Sequence, residues 1–297
     1  MYLATFRIGD KEDWGVVRPE LGLVCPARLW LGERAPATLL DFIRLSCDPD
    51  GEVLSLIETP EPNHGWLAID DIKLLAPIPR PVRNIFCVGK NYLDHIEELS
   101  RDKDISGLNT QYPHYFTKAT HTVTGPFDEI SLHPDVTSQV DYEAELAVII
   151  GKKGINISED EAMDYVFGYT ILNDVTARDL QRNHNQWFKG KSLDGFCPMG
   201  PWIVTRDEIG QPVELNISGR VNGELRQNSN TRHMIFGISK LISILSQGLM
   251  LEPGDILATG TPAGVGMGFD PPKFLTSGDV VRIEIEKIGY IENRFVE

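Results

Sequence analysis

Residues 141–150 read DYEAELAVII. Asp141, Glu143 and Glu145 alternate with Tyr142, Ala144, Leu146 and Val148, and the stretch closes on Ile149 and Ile150. Alternation of this kind predicts a strand, in which residues two apart share a side, roughly 6.5 Å apart along the axis. The three carboxylates then lie on one face. One reading is a half-exposed strand with a solvated acidic face. Two features weigh against it. Like charges that close on one face repel, and the next residues on that face, Ala147 and Ile149, are apolar.

A second apolar strand, YTILND at 169–174, ends in Asn173-Asp174 ahead of VTARDLQ. A carboxylate at the end of a buried strand can present a ligand at the rim of a sheet. With Asp174 beside Glu143 and Glu145, a cation is the simplest way to neutralise the three. Ligation by oxygen alone favours Mg²⁺ or Mn²⁺ over zinc. Three protein ligands of about six leave roughly three positions for substrate and water.

Further strand-like runs are YLATFRI and GLVCPARL near the start, then NIFCVG, AELAVIIG, GYTILND, WIVT, ELNISGRVNG, DILATG and DVVRIEIEKIG. Helical patterns are fewer. TLLDFIRLS is one, SEDEAMDYVFG starts with a capping box of Ser158 and Glu161, and HMIFGISKLISILSQG has helical spacing and ends at a Gly. LLAPIPRPVRN carries Pro77, Pro79 and Pro81, which forbid regular structure and mark a linker. Strands outnumber helices without the regular alternation of a doubly wound parallel sheet. The expected class is α+β, mainly β. A small N-terminal α+β domain with its linker occupies residues 1–80, and a catalytic domain occupies 81–297.

The chain has 297 residues, 41% of them hydrophobic, enough for a sizeable core, and a formal net charge of −15. That charge argues against nucleic acid or an anionic membrane surface as partner. It also means an anionic substrate needs a local cation. Cys25, Cys47, Cys87 and Cys197 are far apart with no C-x-x-C pair, so zinc-ribbon and redox motifs are not expected. MYLATFRIGDKEDW lacks a basic region followed by an apolar run, and no window holds eighteen uninterrupted apolar residues. A soluble, cytoplasmic protein is expected.

Four motifs taken in order, DYEAELAVIIGK, YTILNDVTARDLQ, KGKSLDGFCPMGP and GTPAGVG, resemble the fumarylacetoacetate hydrolase family over about residues 82–297. The resemblance is nearest to its bacterial two-domain branch, which includes oxaloacetate decarboxylases and acylpyruvate hydrolases. It implies that Glu143, Glu145 and Asp174 hold Mg²⁺ or Mn²⁺. In CVGKNYLDHIEELS, His95 and Glu98 stand three apart, on one face of a helix. Alone that is an ordinary surface pair; the resemblance makes it a dyad on a mobile lid segment that positions or deprotonates a water. Of Lys189 and Lys191, the resemblance selects Lys191 as the lysine beside the metal. It further implies substrate contacts from Arg178, Gln181, Gly260 and Thr261, with Tyr115 and Lys118 as weaker candidates for the pocket wall. His184 and His233 have no arguable partner. GTPAGVGMG is no nucleotide loop, since it lacks Gly-Lys-Ser/Thr and FDPPKF follows where a helix would have to begin.

The implied fold is a mixed β-roll in a homodimer. The implied activity is metal-dependent C–C cleavage of a 2-oxo acid bearing a further carbonyl, releasing the enolate of pyruvate from oxaloacetate or an acylpyruvate. Isomerases or hydratases of 2-hydroxymuconate-type or 2-hydroxyhepta-2,4-diene-1,7-dioate-type acids use the same kind of site. A metal and 2-oxo-acid binding module without turnover is the reading from another class.

Overall fold

The computed structural model describes residues 1–46, 65–99 and 111–297. Among them the chain is α+β and rich in strands. The main sheet has twelve strands, and Ala144–Ile150 lies inside it. It pairs antiparallel with Val166–Asn173, setting Ala144 opposite Asn173 and Glu145 opposite Leu172, and on its other edge with Ile256–Ala258. From there the sheet runs through Ile85–Gly89 to His114–Lys118. In the opposite direction it runs through Cys197–Thr205 to Tyr2–Ile8.

Every residue from Val140 to Ile150 is buried. Ala144, Leu146 and Val148 join one core cluster, while Ala147 and Ile149 join another. Both faces of this sheet are therefore packed, which is why its strands read as nearly continuous apolar runs. A half-exposed acidic face does not exist here.

The strand also begins later than the alternation predicts. Val140–Asp141 pairs separately with Thr176–Ala177, and the ladder resumes at Ala144. Asp141 takes N–H bonds from Tyr142 (2.9 Å), Gly266 (2.6 Å) and Met267 (3.0 Å). These local and long-range donors pull it out of the alternation.

The N-terminal strands are part of the same sheet: Tyr2 lies opposite Val204 and Leu3 opposite Ile203. Leu3, Trp14 and Phe42 share a core cluster with Ala147 and Ile149. The proline-rich stretch of 75–84 carries no helix or strand, yet sheet and core continue past it.

A second sheet, of five strands, includes Asn216–Val221, Glu224–Asn230, Val280–Ile285 and Gly289–Val296. Among the described residues no helix is long and apolar enough to cross a membrane.

Two helix expectations are corrected. Ser158 does bond Glu161 at 2.7 Å, but only a 3-10 turn, Ala162–Tyr165, follows before the strand Val166–Asn173. Pairing of Val166 with Ile150 and burial of the strand override the local start signal. HMIFG is not helical throughout either. Asn91 accepts the Ile235 N–H on its carbonyl and the Phe236 N–H on its side chain, each at 2.8 Å, and the helix is confined to Ile238–Leu245. TLLDFIRLS behaves as expected: Leu39–Ser46 is helical, and Thr38 accepts the Asp41 N–H at 3.1 Å. Cys25, Cys87 and Cys197 are buried free thiols, and Cys47 lies outside the described residues.

Candidate metal and catalytic site

Among the described residues, one group of acidic side chains is close enough to share a cation. Glu143, Glu145 and Asp174 each offer an oxygen, all within 4.8 Å of one another, and all three residues are buried. The backbone explains their convergence. Glu143 and Asp174 face each other at the end of the antiparallel ladder, where the Asp174 N–H bonds the Glu143 carbonyl at 2.9 Å. The Asn173 side chain accepts the Glu143 N–H at 3.0 Å and fixes that corner.

Three buried cations surround the group. Lys191 Nζ donates to Glu143 Oε2 at 2.8 Å and Asp174 Oδ2 at 2.6 Å. Lys118 Nζ donates to Asp174 Oδ1 at 2.6 Å and the Val175 carbonyl at 3.0 Å. Arg178 donates through Nε to Asp141 Oδ2 at 2.8 Å and forms a 2.7 Å ion pair with Glu143 Oε1. With Asp141 counted, four buried carboxylates meet three buried cations.

In this formal count the charge left over falls to Glu145, which among the described residues has no cation against it and accepts only the Gly260 N–H, at 2.8 Å. Its carboxyl is pushed well above the usual range by burial, and further by Asp174 and Glu143. Glu143 goes the other way. Burial acts to raise it, but Lys191, Arg178 and His95 outweigh burial and hold it at about 2. Burial likewise works against the Lys191 ammonium, and Asp174 and Glu143 more than compensate.

This donor set fits a hard divalent ion. Metal–oxygen bonds of about 2.1–2.4 Å hold ligand oxygens roughly 3–4.8 Å apart. The group is all oxygen, buried, and formally one positive charge short.

His95 and Glu98 project from the helix Leu93–Leu99, with His95 Nδ1 3.3 Å from Glu98 Oε2. His95 is buried. The other oxygen of Glu98 accepts the Gly264 N–H at 2.9 Å. Glu98 thus ties the His95 helix to the glycine-rich segment. That segment has to be glycine where it is approached most closely. A Cβ on Gly268 would lie 2.2 Å from Glu98 Cδ, and Gly264, at φ +105°, would put one 1.8 Å from the Arg226 carbonyl.

Other residues singled out from sequence fall in varied places. Thr261 donates its hydroxyl to the Ala144 carbonyl at 2.9 Å and accepts from Gln227 at 2.8 Å, so it braces the strand that carries the acids. Gln181 accepts from Arg178 at 3.2 Å and is half-buried. The Tyr115 hydroxyl donates to the Leu241 carbonyl at 2.7 Å and is committed to the helix there. Lys189 is exposed, unlike Lys191.

Sequence reasoning overlooked three residues. Gln227 accepts the Ala144 N–H at 3.0 Å; Asn91 anchors the approach to the His95 helix by donating to the Thr259 and Phe236 carbonyls; Phe116 offers its ring 5.0 Å from Lys191 Nζ. Only Asn91 had a signal, its place just ahead of LDHIEEL.

The family model described as fumarylacetoacetate (FAA) hydrolase C-terminal matches residues 84–296. The oxaloacetate tautomerase YisK of Bacillus subtilis is 55% identical over 227 residues, 76% of this chain and 74% of that protein. A fumarylacetoacetate hydrolase from psychrophilic Exiguobacterium antarcticum superposes with a TM-score of 0.84 at 42% identity, covering 100% of this chain and 99% of its own. A 2-hydroxyhepta-2,4-diene-1,7-dioate isomerase from Mycobacterium marinum does so with a TM-score of 0.74 at 32% identity, over 100% and 98%.

Proposed function

This chain belongs to the fumarylacetoacetate hydrolase family, and we propose that it interconverts the enol and keto forms of a 2-oxo dicarboxylic acid, oxaloacetate first among them. The observation that carries the reading is the buried Glu143–Glu145–Asp174 group with Lys191 on two of its members. The tautomerase activity named for the B. subtilis relative supports the choice of reaction and substrate.

Glu143, Glu145 and Asp174 would hold the ion, with Mg²⁺ or Mn²⁺ matching the all-oxygen set. When bound, it supplies Lewis acidity to a chelating 2-oxo acid. The Lys191 ammonium would bear negative charge that develops on the 2-oxo oxygen. With Nδ1 of His95 turned to Glu98, Nε2 is the ring nitrogen left to exchange a proton. Enol to ketone is then one proton lost from the C2 hydroxyl and one gained at C3. Burial of the acids keeps water from quenching the enolate.

A second reading rests on the His95–Glu98 pair, which suits water activation. Hydrolysis of an acylpyruvate, or decarboxylation of oxaloacetate, passes through the enolate of pyruvate and would use Lys191 in the same way.

Freshly dissolved enol-oxaloacetate, followed by its ultraviolet absorbance in Mn²⁺ buffer beside a His95→Ala control and an EDTA control, tests both. Decay faster than in either control, with no pyruvate formed, is the expected result. Matching pyruvate release would move C–C cleavage ahead. Decay no faster than in buffer, with no pyruvate, would overturn both and favour an isomerase of a longer dienoate or a binding module.

A further inference from the structure

The strength with which the acidic group holds a cation depends on what already occupies its oxygens. Of the six carboxylate oxygens of Glu143, Glu145 and Asp174, five face a donor or a positive group. These are Arg178 and Lys191 on Glu143, Lys118 and Lys191 on Asp174, and Gly260 N–H on Glu145. Lys191 is the one that bridges. Its ammonium contacts one oxygen of each of two different acids, which is the contact a chelated cation would make.

The lysine is not held there by solvent-exposed chance. It is 1% exposed, at the end of the short helix Phe188–Lys191, with the Phe116 ring 5.0 Å from its Nζ. Gly190, just before it, is pressed against the neighbouring helix. A Cβ there would lie 2.6 Å from the Gln181 nitrogen and 2.8 Å from the Ala177 carbonyl. The backbone of Lys191 is therefore fixed, while its side chain has four methylene groups with which to swing.

We infer that Lys191 is a built-in counter-cation that competes with the divalent ion for Glu143 and Asp174, keeping the acids in place before the ion arrives and lowering the affinity for it. This rests on the reading that Glu143, Glu145 and Asp174 form a metal site. Two consequences follow from charge alone. Removing the ammonium removes a positive group next to an incoming cation, so the ion binds more tightly. It also leaves Glu143 and Asp174 short of a buried partner, so the metal-free protein loses stability. Among the described residues Lys118 donates to Asp174 Oδ1 and a carbonyl without bridging two acids, and it has a smaller effect on the ion.

The test is calorimetric titration of Mn²⁺ into wild type, Lys191→Met and Lys191→Arg, with melting curves with and without Mn²⁺. Lys191→Met should bind Mn²⁺ about tenfold more tightly or better, and its melting temperature should rise more on Mn²⁺ addition than that of wild type. Lys191→Arg, which keeps the charge, should stay near wild type. A folded Lys191→Met that binds Mn²⁺ with wild-type or weaker affinity would overturn the inference. Should Lys191→Met not fold without metal, folding it in Mn²⁺ and titrating with EDTA gives the same comparison, and easier stripping than wild type would overturn it. Wild type that binds no Mn²⁺ at all would instead bring down the metal-site reading.

Discussion

Two strand runs of this chain carry Glu-x-Glu. Glu143 and Glu145 lead into Ala144–Ile150, while Glu284 and Glu286 close Val280–Ile285. The first pair is buried and the second exposed. In the five-stranded sheet Val281, Ile283 and Ile285 face the core, and Glu284 shares the opposite side with Arg282, 3.7 Å away. That side is exposed, and a charge there costs little. The central sheet has no such side. Each buried carboxylate there must find a cation, and Glu145 finds none among the described residues. An identical motif is thus solvated decoration in one sheet and a demand for a cation in the other. What differs is the far side of the sheet, not the strand.

Glu143 should show the largest effect. Glu143→Ala would leave Lys191 and Arg178 buried with a partner missing, a loss of about 3–5 kcal/mol in urea denaturation, together with loss of Mn²⁺ binding by calorimetry. Activity should respond strongly at His95 with no change in the sheet: His95→Ala should slow enol decay by about 10²–10⁴-fold while Mn²⁺ affinity stays at the wild-type level. If the metal affinity falls as well, His95 is part of the ion's surroundings and not the proton carrier.

Glu145→Gln sharpens the contrast within the motif. It mimics the neutral carboxyl that burial, Asp174 and Glu143 favour and keeps an acceptor for Gly260, so the metal-free protein should melt no lower than wild type, while Mn²⁺ no longer raises its melting temperature. A clear drop in the metal-free melting temperature would show that Glu145 is paid for by something other than a cation. The double change Glu284→Ala with Glu286→Ala should alter stability by about 0.5 kcal/mol or less.

The smallest effect belongs to a carboxylate of intermediate exposure. Burial acts to raise Asp179, but bonds from the Thr137 hydroxyl and the Ser138 and Leu180 N–H groups win and hold it below 3.8. Its stabilisation is therefore fully present above 3.8 and is lost as the pH falls through its lowered range. Asp179→Asn should be slightly less stable than wild type near neutrality, and the two denaturation curves should converge in strong acid.

Much of this was legible in the sequence. The acidic strand, the Asn173-Asp174 terminus and the majority of the apolar runs announce themselves through alternation and burial of large side chains, which are local signals. The break at Tyr142–Glu143 did not, because it is set by Gly266 and Met267, whose N–H groups reach Asp141 from 125 and 126 residues away. Gln227 was invisible for the same reason: nothing near a glutamine in a polar hairpin says that it will close the edge of a strand 83 residues earlier. The short 3-10 turn in place of a helix after Ser158 shows the reverse case, a good local signal overruled by pairing. Continuity of the N-terminal strands with the main sheet is likewise a fact of register at Tyr2 and Leu3 that no window of sequence contains.

The single N–H that Gly260 gives to Glu145 has a bearing on how the protein is made. The two residues are 115 apart, and Thr261 reaches back to Ala144 across 117. During synthesis the acids of the central strand leave the ribosome long before the segment that completes their surroundings. Until it arrives, Glu145 has no donor, and the ladder edge of Ala147–Ile149 that Ile256–Ala258 will cover is open to other chains. Late closure of this kind makes the glycine-rich segment a checkpoint of assembly as well as a wall of the site. Slow folding and aggregation should therefore be most sensitive to changes near residue 260, far in sequence from the chemistry it completes.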